Sequence, residues 1–478
     1  MDDRARRSIP VSLLSYASNH VLRLVATVVL ARILVPEDFG LFALTSLAIS
    51  LLSTFNDVGV GPALIVAKDV DRRTRATALT LMIVSSILLA LLLVAISPFI
   101  ADLFNEPRLD ELLIVVAFSL FLSGPIWFHE TTLQRELEFV KRFACKLVQT
   151  VTYIAVAITL ALAGAGVWSL VIGRLASYVT YLAALLTVAP DRIAPGWDGV
   201  AARRLVGSGK GFLAQDGLEY AQQQADSYSV AGFLGATQLG FYGMAYRFGE
   251  LTYMGIAEPI TQVTFPAFAR MRERGEDWGR AFLSVLRLVA LTCLPIGVIL
   301  SGAAEPFVET LFGEKWLPMI GPLAVLGVWA GLKPLEGTLG WLLNSLEQQA
   351  RLARIRAFAL VPLVPAVIVA ADRGDITAVA WVMVAHMALL LIAVAVAVAR
   401  SAGPSLRRQL AAVGPLLAGA GASWAAARTT AIALDDLAPV AALASATAAG
   451  ALAYLAAASA LAPRLLPQAA AQVRSLRG

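Results

Sequence analysis

The sequence is poor in the residues on which disulfide frameworks and most metal sites depend. It contains two cysteines and three histidines in 478 residues. Cys145 and Cys293 both fall inside long apolar segments, so a disulfide framework is not expected. His129 and Glu130 are adjacent rather than three or four residues apart, so they do not form a metal-binding pair on a helix. We therefore predict no metal site and no cofactor.

Charged residues are also scarce, at 15% of the chain, whereas 58% of residues are hydrophobic and the mean hydropathy is +0.74. Apolar runs of about 20 residues recur from end to end, as in proteins that cross a membrane many times. The net charge of +5 is spread over many short loops, so nucleic-acid binding is not expected. The sequence therefore predicts an all-α polytopic membrane protein.

Apolar runs bounded by charged residues, proline or glycine predict about 14 transmembrane helices. They cover about 9–31, 40–66, 76–101, 110–133, 143–164, 167–189, 206–233, 239–266, 281–303, 318–344, 353–371, 376–399, 410–428 and 438–462. With a cytoplasmic N-terminus, the cytoplasmic loops carry about 27 basic residues and the opposite loops about 5. We therefore expect both termini to be cytoplasmic. The segment 206–233 must cross the membrane, because otherwise the bias would reverse in all later loops.

The segment 206–233 nevertheless carries a polar stripe. Asp216, Glu219, Gln223 and Asp226 follow one another at spacings of three or four residues, which places them on one face of a helix. A carboxylate at bilayer depth costs at least about 2.5 kcal/mol. This face is therefore expected to turn toward water or protein rather than lipid.

Two sequence motifs occur twice in the chain. PEDFGLFALT from Pro36 is echoed by ATQLGFYGMAY from Ala236, and PFIADLF from Pro98 is echoed by PFVETLF from Pro306. An even number of spans separates equivalent positions, so the two halves run in the same direction across the membrane. The chain is therefore predicted to contain an internal duplication.

This duplication predicts two parallel-repeat six-helix bundles around a central cavity. The N-terminal bundle is expected to cover residues 1–190 and the C-terminal bundle residues 200–400, and two additional transmembrane helices follow in 405–465. The first span, in which Asn19 and Arg23 share a face, is the counterpart of the seventh span with its polar stripe.

Five stretches resemble a known family: ARILVPEDFGLFAL, FNDVGVGPALI, LQRELEFVKRFA, LGFYGMAYRFGELTYMGIAEPITQVTFPAFARM and LFGEKWLP. They are similar to the polysaccharide transporter family, the Wzx-like flippases of the MOP exporter superfamily, over about residues 5 to 400. The resemblance implies alternating access that moves undecaprenyl-diphosphate-linked oligosaccharide repeat units from the cytoplasmic to the periplasmic leaflet. It implies a bacterial inner membrane protein for exopolysaccharide, capsule or O-antigen synthesis. The implied partners are membrane lipid and polysaccharide polymerase or assembly proteins.

A diphosphate cargo requires cations inside the protein, preferably arginine with its forked donors. Arg23 and Arg247 are the leading candidates. The alternative for Arg247 is a local ion pair with Glu250. Further intramembrane cations are functional candidates by default, although pairing with another helix also explains them. These are Arg174, Arg287 and Lys333, and for Lys333 the alternative is a local ion pair with Glu336.

Polar residues on one face of the first span and of the seventh span are candidates for hydrogen bonds to the sugars. They are Asn19, Asp216, Glu219, Gln223 and Asp226. Two alternatives stay open for the carboxylates, since they repel a diphosphate: pairing with a cation such as Arg23, or binding of a coupling cation.

Two rival functions follow from the same sequence. One is a cation-coupled small-molecule or drug antiporter of the same superfamily, favoured by the acidic seventh span. The other is a polytopic glycan polymerase or glycosyltransferase. No phosphate-cradling glycine-rich loop, nucleophile elbow or metal motif occurs in the loops, and the external loops are short. We therefore predict a transporter with no catalytic residues rather than an enzyme.

Overall fold

The computed structural model describes residue 19 and residues 22–56, 60–61, 64, 71–136, 138–189, 193–258, 260, 264, 268, 271, 274, 277–401 and 403–461, with backbone alone at 208–216 and 219. Helices account for most of these residues. In chain order they are α1 (22–33), α2 (Pro36–Ser53), α3 (Arg72–Leu103), α4 (Arg108–Arg135), α5 (Phe139–Leu162), α6 (Val167–Val188), α7 (Gly199–Thr252), α8 (Trp278–Gly302), α9 (Ala304–Leu311), α10 (Ile320–Ser345), α11 (Gln349–Asp372), α12 (Ile376–Ala399), α13 (Leu406–Ala433) and α14 (Pro439–Leu461).

Ten of the described helices are long and apolar enough to cross a membrane. They are α3 to α6, α8 and α10 to α14, where α10 is counted together with the 3₁₀ turn Glu314–Met319 that precedes it. Each coincides with a span predicted from the sequence. The structure therefore confirms a helical polytopic fold, while the total of about 14 crossings stays a prediction.

The second predicted span, 40–66, differs in its bounds from the helix that the structure describes, and its residues 57–59, 62–63 and 65–66 lie outside the described part of the chain. The helix α2 begins at Pro36 and ends at Ser53. Proline fits the first helical position because it has no N–H to leave unpaired. The Asp38 carboxylate also accepts a hydrogen bond from the Val35 backbone N–H at 3.2 Å. These two features start the helix four residues before the apolar run that the prediction used.

Most of residues 259–266 of the eighth predicted span, 239–266, lie outside the described part of the chain. The first part of that span and the seventh predicted span, 206–233, are joined in the single helix α7. Its 54 residues are interrupted at Gly235, where φ is 81° and ψ is 178°. Glycine adopts this backbone conformation at little steric cost. The break expected between the two spans is therefore a kink within one helix and not a loop. After Thr252 the chain makes a π-helical turn, Tyr253–Ala257.

The backbone supports the internal duplication at two pairs of turns. After α3 the chain turns at Asn105 with φ 51°, and after α9 it turns at Gly313 with φ 84°. These positions are equivalent in the repeated PFIADLF and PFVETLF motifs. The turns after α5 and α11 likewise contain Gly164 and Gly374, with φ of 81° and 80°. A residue in the left-handed region just beyond a helix lets backbone N–H groups donate hydrogen bonds to the last carbonyls of the helix. Corresponding helices of the two halves therefore end in the same way.

Between α8 and α10 the sequence did not predict the short helix α9. Its eight residues, Ala304–Leu311, are too few for a membrane span and do not stand out in a search for apolar runs of 20 residues. In the first half, the corresponding residues around Pro98 belong to the continuous helix α3. The two copies of the repeated motif therefore differ in local structure.

The structure divides into two compact units, Met1–Gly240 and Phe241–Gly478. In the first unit α3 packs on α4 and α5 packs on α6. In the second unit α8 packs on α10, α10 on α12 and α13 on α14, and α13 also packs on α8. The last two helices thus share a core with the second unit. The predicted domain bounds of 1–190, 200–400 and 405–465 stay a prediction.

Glycines allow α8 and α10 to approach closely. A Cβ atom at Gly297 would lie 2.6 Å from the Gly327 carbonyl oxygen, and one at Gly327 would lie 2.7 Å from the Ser301 nitrogen. Small residues at such a crossing let two membrane helices reach backbone contact, where packing rather than the hydrophobic effect holds them together. This crossing is therefore intolerant of larger side chains.

The glycines of the repeated PEDFG and ATQLG motifs meet each other's motif within the first unit. A Cβ atom at Gly40 would overlap the backbone carbonyl of Ala236, and one at Gly240 would overlap that of Pro36. Corresponding residues of the two repeats therefore form a mutual contact. This explains why the motif keeps glycine in both copies.

Candidate functional site

In the first unit, Arg174 lies on α6 in contact with neutral groups. One guanidinium nitrogen, Nη1, donates a hydrogen bond to the Ser46 hydroxyl of α2 at 3.1 Å. Its guanidinium carbon lies 5.9 Å from the centre of the Phe42 ring and 5.8 Å from that of Tyr178. Within the described part of the chain no carboxylate forms an ion pair with it. The charge of Arg174 is therefore not neutralised by a described carboxylate. Arg174 lies about 10 Å along α6 from its first residue, Val167.

Arg23 and Asn19 meet at a threonine of α5. The Arg23 Nε donates to the Thr150 hydroxyl at 3.4 Å, and this hydroxyl donates to the Asn19 side-chain oxygen at 2.9 Å. Thr150 is buried, whereas the Arg23 side chain is exposed. The structure therefore brings these two predicted site residues together. Their connection through a threonine was not expected from the sequence.

The polar part of α7 contacts α2 through two tyrosines. The Tyr220 hydroxyl donates to the Leu47 carbonyl at 2.8 Å, and the Tyr228 hydroxyl reaches the same carbonyl at 3.2 Å. The two hydroxyls lie 2.8 Å apart. Their spacing of eight residues, about two helical turns, was the available sequence signal, but it was overlooked among the charged residues of this stretch.

The predicted polar stripe of α7 is described for two of its four members. Gln223 is exposed, whereas Asp226 has no exposed surface. The Asp226 carboxylate accepts a hydrogen bond from the Ser227 backbone N–H at 2.7 Å. The side chains of Asp216 and Glu219 lie outside the described residues. In this conformation solvent therefore reaches the amide of the stripe but not its buried carboxylate.

In the second unit, Lys333 of α10 forms an ion pair with Glu250 of α7. The Lys333 Nζ lies 2.8 Å from the Glu250 Oε1, and the two side chains are 14% and 24% exposed. The same nitrogen lies 4.6 Å from the centre of the Trp329 ring and 5.2 Å from that of Tyr253. This ammonium group is therefore held by one carboxylate and two aromatic faces. Tyr253 opens the π-helical turn, a type of distortion that is frequent at functional sites.

The alternative of a local ion pair between Lys333 and Glu336 is wrong. Glu336 pairs instead with Arg356 of α11, whose Nη2 lies 3.2 Å from its Oε1. Glu336 is 7% exposed and its partner 26%. Each acidic residue thus takes a cation from a different helix, because the tertiary packing offers Lys333 a closer carboxylate across the α7–α10 contact.

The two remaining predicted cations differ in their surroundings. Arg247 is exposed on α7, three residues before Glu250. The Glu250 carboxylate accepts a hydrogen bond from Lys333. Arg287 is half-buried on α8, and its Nε is buried without a hydrogen-bond partner among the described residues. The structure leaves the binding roles of both residues as predictions.

A further cationic cluster was missed by the sequence analysis. Glu130 at the end of α4 accepts hydrogen bonds from Arg142 through Nε at 2.9 Å and through Nη2 at 2.6 Å. The Lys146 Nζ lies 2.9 Å from the same oxygen. The signal was available, because Arg142 and Lys146 are four residues apart and so occupy one face of α5.

No group of three histidine, cysteine, aspartate or glutamate side chains suited to a metal ion occurs among the described residues. Both cysteines are buried free thiols. Where side chains are described, the candidate residues thus supply cations, hydroxyls and aromatic rings. This combination suits a ligand that carries anionic oxygens and hydroxyl groups.

The sequence matches a family described as polysaccharide biosynthesis protein over residues 29–321, which is more than half of the chain. It is 26% identical over 326 residues to the succinoglycan biosynthesis transport protein ExoT of Rhizobium meliloti, covering 67% of this chain and 65% of that protein. It is 25% identical over 370 residues to the lipopolysaccharide biosynthesis protein WzxC of Escherichia coli, covering 73% and 71%. The chain therefore spans about two thirds of the length of these relatives.

Among solved structures, the chain resembles the lipid II flippase MurJ in an inward closed conformation. The TM-score is 0.76 at 13% identity, and the match covers 95% of this chain and 99% of that one. At this identity the resemblance concerns the fold.

Proposed function

Because the chain belongs to the polysaccharide biosynthesis protein family, we propose that it is a flippase for polyprenyl-diphosphate-linked oligosaccharides. It moves them by alternating access from the cytoplasmic to the periplasmic leaflet of a bacterial inner membrane, for the synthesis of a surface polysaccharide. The names of the relatives ExoT and WzxC support this proposal, since both refer to polysaccharide or lipopolysaccharide biosynthesis. The protein acts as a transporter and carries out no reaction on its cargo.

The observation that carries the proposal is the environment of Arg174. A diphosphate must leave water without losing all of its ionic partners, because an unpaired charge in hydrocarbon is very costly. A guanidinium that a carboxylate has already neutralised offers little to such a ligand. Arg174 is held by a hydroxyl at 3.1 Å and by two aromatic rings, so its charge is available to an anion.

The groups around Arg174 also suit the sugars of the cargo. The Tyr178 and Phe42 rings lie beside the guanidinium, and aromatic faces together with hydroxyls are suitable walls for a hydroxyl-rich ligand. We assign Arg23 with Asn19, and the Tyr220–Tyr228 pair, to further polar contacts with the cargo in the first unit. Because both side chains are exposed, we assign Gln223 to contacts with the sugars and Arg247 to contacts with the phosphates.

Lys333 is expected to contribute less to cargo binding than Arg174. Its ammonium is already paired with Glu250 at 2.8 Å, so an incoming phosphate would have to compete with a carboxylate. Asp226 is buried and is assigned a structural role in this conformation. Asp216, Glu219 and Arg287 stay binding candidates on their sequence positions alone.

A reconstituted flipping assay tests the proposal. Proteoliposomes receive a fluorescent polyprenyl-diphosphate oligosaccharide, and its transfer between leaflets is followed by quenching. Arg174→Ala should weaken cargo binding about 10- to 100-fold, because a hydrogen bond to a charged group contributes about 1.5–3 kcal/mol. Arg174→Lys should retain part of the activity. The matched control is Arg354→Ala, which removes an exposed arginine whose hydrogen bond among the described residues goes to its own helix, at the Ala350 carbonyl.

Two outcomes would contradict the proposal. Normal flipping by Arg174→Ala would remove Arg174 from the binding site. Exchange of small cationic drugs for cations, without movement of the diphosphate-linked oligosaccharide by the wild-type protein, would favour the antiporter function instead.

A further inference from the structure

A groove in the second unit is separate from all the residues assigned to cargo. Residues of α8, α9, α10, α12 and α13 line this groove, whose volume is about 610 Å³. Its walls are almost entirely apolar, as Leu294, Val298, Val328, Leu332 and Leu417 illustrate. The volume lies within the range of about 300–1,000 Å³ that small-molecule sites occupy.

The groove is as deep as one leaflet of a bilayer. Along α10 its lining runs from Ile320 to Leu332, and along α13 from Arg428 back to Leu417. At a rise of 1.5 Å per residue these stretches span about 18 Å and about 16 Å. Half of a hydrocarbon core measures about 15 Å. A chain that enters at the Arg428 end would therefore reach the middle of the membrane and stop there.

Polar groups occur at one end of the groove only. Arg428 donates from Nη1 to the Glu305 Oε2 at 3.1 Å, and both side chains are partly exposed, at 39% and 38%. The Trp424 Nε1 donates to the Ser301 hydroxyl at 3.1 Å, while its ring is 44% exposed. Tryptophan is enriched where a membrane meets water. The charge distribution of the loops predicts that this end faces the periplasm.

One carboxylate, Glu305, pairs with Arg428 at the polar end, and other carboxylates lie near it. The pKa of Glu309 on α9 is raised above its usual value by desolvation and by the neighbouring charges of Glu305, Asp435 and Glu314. The groove itself contains the single cation Arg428. The Arg428 guanidinium is already paired with Glu305, so a headgroup that enters here meets an excess of negative charge. This arrangement suits a headgroup that carries a cationic part.

We propose that this groove binds one hydrocarbon chain of a zwitterionic aminophospholipid from the outer leaflet. Its ammonium group faces the carboxylates of α9 and of the turn that follows α13. The cargo of the proposed flippase does not fit, because a diphosphate brings only negative charge to an acidic rim and a polyprenyl chain is longer than one leaflet. The bound lipid fills a space between α13 and the core of the second unit that would otherwise be a void.

The chain offers a matched pair of positions for a test. Gly421 lines the groove and Gly414 lies two turns away on the same helix. A Cβ atom at either position would meet no heavy atom within 4 Å, so a larger side chain can be introduced at both without a backbone clash. Gly421→Trp fills the groove and Gly414→Trp does not. Leu417→Trp, at a lining residue that is 39% exposed, provides a second way to block it.

The full-length protein is reconstituted in nanodiscs with phosphatidylethanolamine that carries a photoreactive group in its acyl chain. Irradiation and peptide mass spectrometry should locate adducts on α10 and α13. Adducts should fall at least about fivefold in Gly421→Trp and in Leu417→Trp, and stay unchanged in Gly414→Trp. A phosphatidylglycerol probe should label about fivefold less, since one unit of charge at a membrane surface alters binding by about this factor.

Three results would overturn the proposal. The first is equal labelling in Gly421→Trp and Gly414→Trp. The second is equal labelling by phosphatidylethanolamine and phosphatidylglycerol, which would remove the role of the acidic rim. The third is labelling by a photoreactive polyprenyl phosphate but by neither phospholipid, which would assign the groove to the cargo chain. Flipping activity is measured in parallel, so a failure of the flippase proposal stays distinguishable from these results.

Discussion

The ion pair between Lys333 and Glu250 provides the sharpest test of the packing of the second unit. It joins α10 to α7 across 83 residues of sequence at 2.8 Å. Three variants probe it: Lys333→Met, Glu250→Gln, and the two together. Methionine keeps much of the apolar length of the lysine and its contact with the Trp329 and Tyr253 rings, so the main loss is the charge.

The expected magnitude follows from the distance and the burial. Two unit charges 2.8 Å apart attract by about 6 kcal/mol at an effective dielectric constant near 20. Desolvation cancels much of this attraction, so the net contribution of the pair is far smaller. Removal of one partner strands the other charge, which costs about 3–5 kcal/mol when it is buried. Since the two side chains are 14% and 24% exposed, we expect the lower end, about 3 kcal/mol for each single variant.

Thermal unfolding of the purified protein, followed by intrinsic fluorescence, measures the effect. For a unit of this size about 1 kcal/mol shifts the Tm by about 2 °C, so each single variant should melt about 6 °C lower. The double variant should melt above both single variants, because it leaves no unpaired charge. Strictly additive losses, or single shifts below about 1 °C, would refute a coupled ion pair at this position.

Two further predictions concern the close helix crossing and the acidic rim. Gly297→Ala should lower the Tm by several degrees, because its Cβ would lie 2.6 Å from the Gly327 carbonyl oxygen. Gly243→Ala, with open space around its Cβ, should leave the Tm unchanged. Equal Tm shifts in the two variants would show that the close crossing is not the cause. Glu309 has a raised pKa, chiefly through desolvation, so its ionised form is disfavoured in the folded protein. Glu309→Gln should therefore raise the Tm at pH 7, and the difference should disappear as the pH falls below the usual glutamate range, where the wild-type carboxyl is protonated in both states. A Tm difference that persists at low pH would contradict this explanation.

Hydropathy was sufficient to locate most of the helices, and its physical basis explains why. A membrane span must form its backbone hydrogen bonds within its own helix and present apolar side chains to lipid. Both requirements produce a long continuous apolar run, which is visible in the sequence. The repeated motifs likewise predicted a duplication, which the paired turns at Asn105 and Gly313 support. Local steric rules account for these positions, because a left-handed residue after a helix favours glycine or asparagine.

The partners of the charged residues could not be predicted in the same way. The interval between Lys333 and Glu336 satisfies the i,i+3 rule, and the sequence alone therefore favoured a local pair. The fold places Glu250 and Arg356 closer, on helices that are distant in sequence. A long flexible side chain selects among all carboxylates within reach, and only the tertiary structure determines which these are.

The two tyrosines of α7 illustrate a different gap. The polar residues around them predict a helix face that contacts water. Tyr220 and Tyr228 instead bind a backbone carbonyl of α2 at Leu47. A carbonyl inside a helix has no signature in the sequence, since every residue carries one. Its use as an acceptor depends on the approach of another helix, which the apolar pattern does not specify.

The charges of this protein fall into two groups that require different ligands. In the first unit Arg174 is surrounded by neutral groups and therefore attracts anions. In the second unit Arg428 stands at a rim where Glu305, Glu309 and Asp435 exceed it in charge, so a purely anionic ligand is repelled there. A single lipid cannot satisfy both environments with its headgroup. If cargo were found at the rim and not at Arg174, the electrostatic reasoning behind both proposals would fail together, since each assigns a ligand by the balance of charge around one arginine.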